Sequence, residues 1–263
     1  MNRIQNAFKN KPIFMPYFPL GYPDLNTSID VIEALAKNGA DLIEVGLSFS
    51  DPLADGPVIQ QATQVALEKG ITIKKSLEAV KELRKRGVDI PLILMGYYNP
   101  MLAYGLEKFV RDAKEVGADG FIIPDLPIEE SDEFESVGAR HASPLPLIRM
   151  LAPTSSSDRM EKIARNAKGL IYLVSVTGIT GERKTISAGL SDLIADVRKH
   201  TNIPVCVGFG ISTPEQAKEV GQMADGVIVG TACVRTIGGS QTPVETARQF
   251  ASQFRNALSE SKK

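Results

Sequence analysis

The stretch LIEVGLSFSDPLADGPVIQ, Leu42 to Gln60, opens as a strand and closes as a helix. Leu42 to Gly46 is apolar and partly β-branched, as in a strand covered on both faces. Glu44 stands inside that run, and a buried carboxylate is costly unless it is paired, neutralised or used. Ser48, Ser50, Asp51, Pro52, Asp55, Gly56 and Pro57 then crowd turn formers into one loop, and helical periodicity resumes at Val58. A strand bearing an acid, followed by an acidic loop, points to Glu44 and Asp55 converging on one cavity. Taken singly, each has a plainer reading: a core Glu paired with a lysine, and an Asp in a turn.

The same unit recurs outward along the chain. Residues 1–10 read as a short amphipathic helix with Ile4, Ala7 and Phe8 on one side. Apolar strands are expected at Ile13–Phe18, Leu42–Gly46, Pro91–Tyr98, Phe121–Asp125, Leu145–Leu151, Leu170–Val176, Val205–Phe209 and Val227–Val229. Helices are expected between them: Ile29–Asn38 (capped by Asn26 or Thr27), Val58–Gly87 broken near Gly70, Leu106–Val116, Glu129–His141, Arg159–Ala167, Leu190–His200 and Glu215–Met223, with Val244–Leu258 closing the chain. The strands are apolar throughout rather than alternating, which means burial on both faces, as in a parallel sheet covered by helices. Eight βα units in about 250 residues make a (β/α)8 barrel with an extra short N-terminal helix, occupying residues 1–263 as a single domain. The competing doubly wound sheet usually carries a glycine fingerprint after its first strand, where this chain has PLGYPD. The repetition reads as one of βα units, without a repeat in the residues themselves.

Composition excludes several classes of function. The 263 residues carry a net charge of −1, which favours neither nucleic acid nor an anionic membrane. The N-terminal apolar stretch is broken by prolines and resembles neither a membrane span nor a signal peptide, so a cytoplasmic location is expected. Cys206 and Cys233 both sit in apolar runs and read as buried free thiols. The two histidines, His141 and His200, fall near helix ends and offer no metal site.

A second constellation lies at the ends of the last strands: Thr180-Gly181 after the sixth, Gly208-Phe209-Gly210 after the seventh, Gly230-Thr231 after the eighth. Each glycine alone is an ordinary turn. Three at consecutive strand ends form a phosphate cradle, because glycine lets backbone N–H groups approach closely and a barrel commonly binds phosphate there.

The segment EVGLSFSDPLADGPVIQ, Glu44 to Gln60, closely resembles the α subunit of tryptophan synthase, and FMPYFPLGYP, YNP, PDLP, LAPTS, SVTGITG, GFGISTPEQA and DGVIVGTA extend the resemblance over nearly the whole chain. Ser48 departs from the family's usual proline, and Thr231 stands where many relatives carry serine. The resemblance implies cleavage of indole-3-glycerol phosphate to indole and glyceraldehyde 3-phosphate, a retro-aldol lyase reaction. Glu44 and Asp55 would be the catalytic pair, with the phosphate on Gly181, Gly210, Gly230 and Thr231. Tyr17, Tyr97 and Tyr172 fall where the family lines its pocket with aromatics; barrel packing would place them equally well. Thr180 and Phe209 would complete the substrate site. No cofactor is expected in this chain. A pyridoxal-phosphate β subunit is the implied partner, in an α2β2 tetramer, docking at the Ser50–Pro57 loop and Asn99–Pro100. The loops bearing Asp55 and spanning Gly178–Gly189 are candidate lids, with glycine hinges and no apolar anchor. Three other readings share many of these residues: another phosphate-sugar barrel enzyme, a standalone lyase releasing indole, and a non-catalytic activating subunit.

Overall fold

The protein was described as a computed structural model, which describes residues 2–139, 144–174, 189–208 and 210–261. Eight parallel strands form the core: β1 Ile13–Pro19, β2 Ile43–Gly46, β3 Leu92–Met95, β4 Gly120–Ile122, β5 Arg149–Leu151, β6 Ile171–Val174, β7 Val205–Gly208 and β8 Gly226–Val229. They pair in the order β4-β3-β2-β1-β8-β7-β6-β5. The two ends meet. Phe121 of β4 bridges Leu147 in parallel, the Phe121 amide donates to the Pro146 carbonyl at 2.9 Å, and the Ile148 amide donates to Phe121 at 2.8 Å. The sheet is therefore a closed (β/α)8 barrel, and closure leaves no sheet edge to protect.

Helices cover the strands: α1 Arg3–Ala7, α2 Leu25–Lys37, α3 Pro57–Glu68, α4 Ile73–Lys85, α5 Tyr98–Tyr104, α6 Leu106–Glu115, α7 Asp132–Ala139, α8 Ser157–Asn166, α9 Leu190–Arg198, α10 Pro214–Gly221, α11 Thr231–Gly238 and α12 Pro243–Glu260. The N-terminal helix α1 sits under the barrel. Ile4 is buried beside Gly169 and Pro146, and Arg3 reaches Asp119, at the entrances to β6 and β4.

Three expectations need correction. The cap of α2 is Asp24, whose side chain accepts from the Thr27 amide at 2.9 Å; Asn26 and Thr27 lie inside the helix. The third strand ends at Met95, and Tyr98–Tyr104 forms a helix that was expected as strand and loop. The chain after β8 enters a helix at Thr231.

A repeat in the residues also exists. Ala40-Asp41, Ala118-Asp119 and Ala224-Asp225 each precede an even-numbered strand. Each aspartate accepts the amide of a residue at the start of the preceding strand: Phe14 at 2.8 Å, Leu92 at 2.9 Å and Val205 at 3.1 Å. Each is also met by cations, Arg255 on Asp41, Arg84 and Arg3 on Asp119, and Lys11 and Arg198 on Asp225. Burial pushes the Asp225 carboxyl up; Lys11, the Val205 amide and Arg198 outweigh it and hold it below the ordinary carboxylate range. These pairs knit the barrel floor, at the end opposite the acid pair.

Candidate active site

Glu44 is the second residue of β2, level with Tyr17 of β1 and Ile93 of β3. It is buried, and among the described residues its carboxyl makes no hydrogen bond or ion pair. The plainer reading of a core Glu paired with a lysine is therefore absent here. Burial pushes its carboxyl up to about 8, and the charge of Asp55 adds to the shift. Asp55 lies on the loop between β2 and α3, half-buried. Burial raises it to about 6, against a hydrogen bond from Tyr97 that lowers it. The structure thus brings the two sequence-predicted acids within electrostatic reach of one another, Glu44 on β2 and Asp55 on the loop beyond its C-terminal end.

Three tyrosines surround the acid pair. The Tyr97 hydroxyl donates to Asp55 Oδ2 at 3.0 Å and accepts from the Ala54 amide at 3.1 Å. Tyr17 and Tyr172 are buried, and their hydroxyls are pushed well above the ordinary phenol range, first by burial and then by the charges of Asp55 and Glu44. Two glycines seat them. Tyr17 is level with Glu44 and lies over Gly46; Tyr172 is level with Cys206 and lies over Gly208. The same device appears twice: a tyrosine on one strand covers the glycine two residues beyond its partner on the next. Sequence reasoning missed these seats. The signal was the tyrosine-to-glycine offset across neighbouring strands, visible only once register is known.

The loop carrying Asp55 has an anchor, contrary to expectation. Phe49 packs on Tyr97 with ring centroids 5.5 Å apart, and Pro52 is buried. Leu53 at its tip is 89% exposed. The other loop expected as a lid lies outside the described residues except for Gly189, as do Thr180, Gly181, Phe209 and His141.

Strands β7 and β8 run in register with Val207 level with Val227, and Gly210 and Gly230 each lie just beyond the end of their strand. Gly210 has φ +85°, a left-handed conformation that side chains rarely adopt. Thr231 opens α11, and Gly230 before it supplies no side-chain cap, so the first amides of that helix face outward without a partner from the cap. Gly230 also borders Tyr17, one of the tyrosines beside the acid pair. Among the described residues no group of three or more His, Cys, Asp or Glu could hold a metal ion. Cys206 and Cys233 are buried free thiols. None of the described helices is long and apolar enough to cross a membrane.

A closed (β/α)8 barrel with two carboxyl groups shifted toward neutrality at its mouth belongs to the barrel enzymes that work by proton transfer. Comparison with known proteins specifies which. The family model described as the tryptophan synthase alpha chain matches residues 4–262, and the chain belongs to that family. It is 47% identical over 239 residues to the tryptophan synthase alpha chain of Chloroflexus aggregans, covering 89% of each. It is 45% identical over 264 residues to that of Geobacillus kaustophilus, covering 95% of this chain and 97% of the other. A solved structure from Aquifex aeolicus superposes with a TM-score of 0.88 at 39% identity, covering 98% of this chain and 99% of that one. A tryptophan synthase from Mycobacterium tuberculosis in an aminoacrylate-bound form matches with a TM-score of 0.87 at 31% identity, over 98% and 100% of the two chains. Members of this family are lyases that cleave indole-3-glycerol phosphate to indole and glyceraldehyde 3-phosphate in tryptophan biosynthesis. The family needs no cofactor of its own; pyridoxal phosphate is carried by the β subunit.

Proposed function

We propose that this chain performs the cleavage with Glu44 as the acid–base group and Asp55 as the base. The observation that carries the assignment is the asymmetry of the pair: the Glu44 carboxyl is buried on β2 with no side-chain partner among the described residues, whereas Asp55, half-buried on its loop, accepts a hydrogen bond from Tyr97 at 3.0 Å, so burial raises Glu44 to about 8 and Asp55 only to about 6. At neutral pH one is a proton donor and the other a carboxylate, the division of labour that paired acids need. The bond to be broken joins indole C3 to a carbinol carbon. Direct cleavage would leave charge on an aromatic carbon. Glu44 protonates C3, making an indolenine that accepts the electrons, while Asp55 holds and removes the indole N–H proton. Glu44, now ionised, takes the carbinol proton as the carbon–carbon bond breaks, and Asp55 returns its proton to the ring nitrogen as the electrons arrive there, so that neutral indole leaves and both carboxyls are restored. Tyr17, Tyr97 and Tyr172 line the ring pocket. The phosphate sits on Gly210, Gly230 and Thr231, with Thr180, Gly181 and Phe209 completing the substrate site. The whole chain acts as one barrel domain.

The test is indole release by the isolated chain as a function of pH. A bell-shaped kcat/KM is expected, with an acid limb near 6 and an alkaline limb near 8. A rate that stays flat from pH 5 to pH 9 rejects the pair.

The M. tuberculosis tryptophan synthase structures and the family support a β subunit as partner, and we place it in an α2β2 assembly in the cytoplasm. Docking at the open mouth is supported by exposure. Among the described residues the exposed large apolar side chains are Leu53, on the Asp55 loop, and Leu102, on α5. Asn99 on the same helix is exposed, whereas Pro52 is buried and shapes the loop from within. Apolar groups at the mouth suit a contact that hands over an apolar product. Adding a β subunit and serine is expected to stimulate indole formation at least several-fold, a coupling of roughly 1–3 kcal/mol. Leu53→Asp should reduce that stimulation while leaving cleavage by the isolated chain within about twofold of the parent, since the side chain points to solvent. High basal turnover unaffected by a β subunit would instead mean a lyase that works alone.

A further inference from the structure

Asp55 sits on a loop, and a loop positions a catalytic group less rigidly than a strand does. Something must hold it. Of the neighbouring side chains, the Tyr97 hydroxyl reaches both the carboxylate and the backbone of the residue before it, donating to Asp55 Oδ2 at 3.0 Å and accepting from the Ala54 amide at 3.1 Å. Tyr97 is itself only 2% exposed and is pinned from two sides. Its ring packs on Phe49 of the same loop. Its backbone precedes α5, whose first amide, that of Tyr98, is held by both carboxylate oxygens of Asp125 at 3.0 and 3.2 Å. Asp125 lies in the loop after β4. An external carboxylate thus does what a side-chain cap would do for α5, and the helix carries none of its own.

We propose that Tyr97 is a positioning residue for Asp55, a clamp that fixes the carboxylate and ties down its loop, with Asp125 holding the clamp in place. The inference rests on the reading of Asp55 as the base. The phenol's hydrogen bond favours the ionised carboxylate, so the clamp also sets how acidic the solution can become before Asp55 takes up a proton. The titratable groups facing Asp55 among the described residues are Glu44 from β2, Tyr17 from β1, Tyr172 from β6 and Tyr97 itself, with Asp125 behind Tyr97. Burial above all keeps the three phenols neutral across the working range, and Glu44 titrates near 8, so the acid limb belongs to Asp55.

The experiment compares Tyr97→Phe with the parent enzyme, measuring indole release from indole-3-glycerol phosphate between pH 5 and pH 9. Phenylalanine keeps the ring on Phe49 and removes only the hydroxyl. The acid limb of kcat/KM should move up by about one pH unit, so that activity relative to the parent falls about fivefold further at pH 6 than at pH 8. Hydrogen exchange at the Ala54 amide should quicken. Asp125→Ala, which alters neither Tyr97 nor Asp55 but frees the Tyr98 amide that seats the clamp, should move the limb in the same direction, and in the Tyr97→Phe background it should add nothing. An acid limb that stays put in Tyr97→Phe, with unchanged Ala54 exchange, overturns the clamp. The parallel Asp55→Asn variant separates the two ideas. If it is inactive while the limb stays put, the clamp alone fails; if it keeps near-normal turnover, the reading of Asp55 fails first.

Discussion

Glu44→Gln is expected to lose at least 10²–10⁴-fold in indole formation, and Asp55→Asn likewise, with both chains folded. The physical reason differs between the two. Glutamine keeps the shape of Glu44 and hands over no proton, so C3 cannot be activated. Asparagine keeps the shape of Asp55 and can no longer accept the indole proton. The companion expectation concerns stability. Glu44 holds its proton more tightly folded than unfolded, since burial raises its carboxyl from 4.5 to about 8. Ionisation therefore costs the native state nothing below pH 4.5. The cost grows as pH rises through that window and levels off above pH 8. At pH 7 it comes to ~3 kcal/mol as an upper bound, which Glu44→Gln removes, less the amide's own desolvation. Thermal unfolding of Glu44→Gln against the parent should show a difference in Tm that favours the variant more at pH 8 than at pH 5. A variant that is inactive yet more stable at alkaline pH marks a residue held for chemistry at the fold's expense. Near-normal turnover in Glu44→Gln sinks the assignment, and a pH-independent difference in Tm sinks the account of its burial.

The barrel was legible because its signal is redundant. Eight apolar strands, each bounded by turn residues, overdetermine a parallel sheet, and an error at one boundary leaves the count intact. The helix Tyr98–Tyr104 was hidden for a local reason. Asn99-Pro100 reads as a stop after a strand, yet proline lacks only an N–H that the first turn of a helix leaves free, so the same residues can open a helix. Helix α11 was hidden because Thr231-Ala232-Cys233-Val234 continues the apolar run of β8, and periodicity over so few residues cannot separate the two. Both acids were legible, Glu44 as a charge in a core strand and Asp55 through its motif. The tie between Asp55 and Tyr97 spans 42 positions and follows no period, so only the closed barrel reveals it. The Ala-Asp repeat on the barrel floor was present in the letters and overlooked, because its three copies are separated by dissimilar helices.

Gly46→Ala and Gly208→Ala are expected to cost most of the activity without touching either acid. The Cβ added at Gly46 would lie 2.4 Å from the Tyr17 hydroxyl oxygen and 2.7 Å from its ring carbon; at Gly208 the corresponding distances to Tyr172 are 2.6 Å and 2.7 Å. Real Cβ contacts are not this short, so the tyrosine must move. Both rings are buried on strands, where χ1 has few alternatives. The packed core blocks retreat outward, so the ring is driven toward the barrel's mouth and the proposed substrate cavity. A ring pushed into the cavity occupies the volume that the indole needs. The expected signature is a loss in kcat/KM of at least about 10²-fold, since a misplacement of 1 Å in such a site has that effect, together with destabilisation of about 1–3 kcal/mol from overpacking. Tyr17→Phe in the Gly46→Ala background should restore only part of the activity, because removing the hydroxyl leaves ring carbons at 2.7 and 2.8 Å. Gly138→Ala, in α7 with nothing within 4 Å of the added carbon, should leave activity unchanged and stability equal or slightly higher. Parental kinetics in Gly46→Ala or Gly208→Ala, measured with indole-3-glycerol phosphate across its full saturation curve, would mean that the tyrosines move without cost and do not shape the pocket.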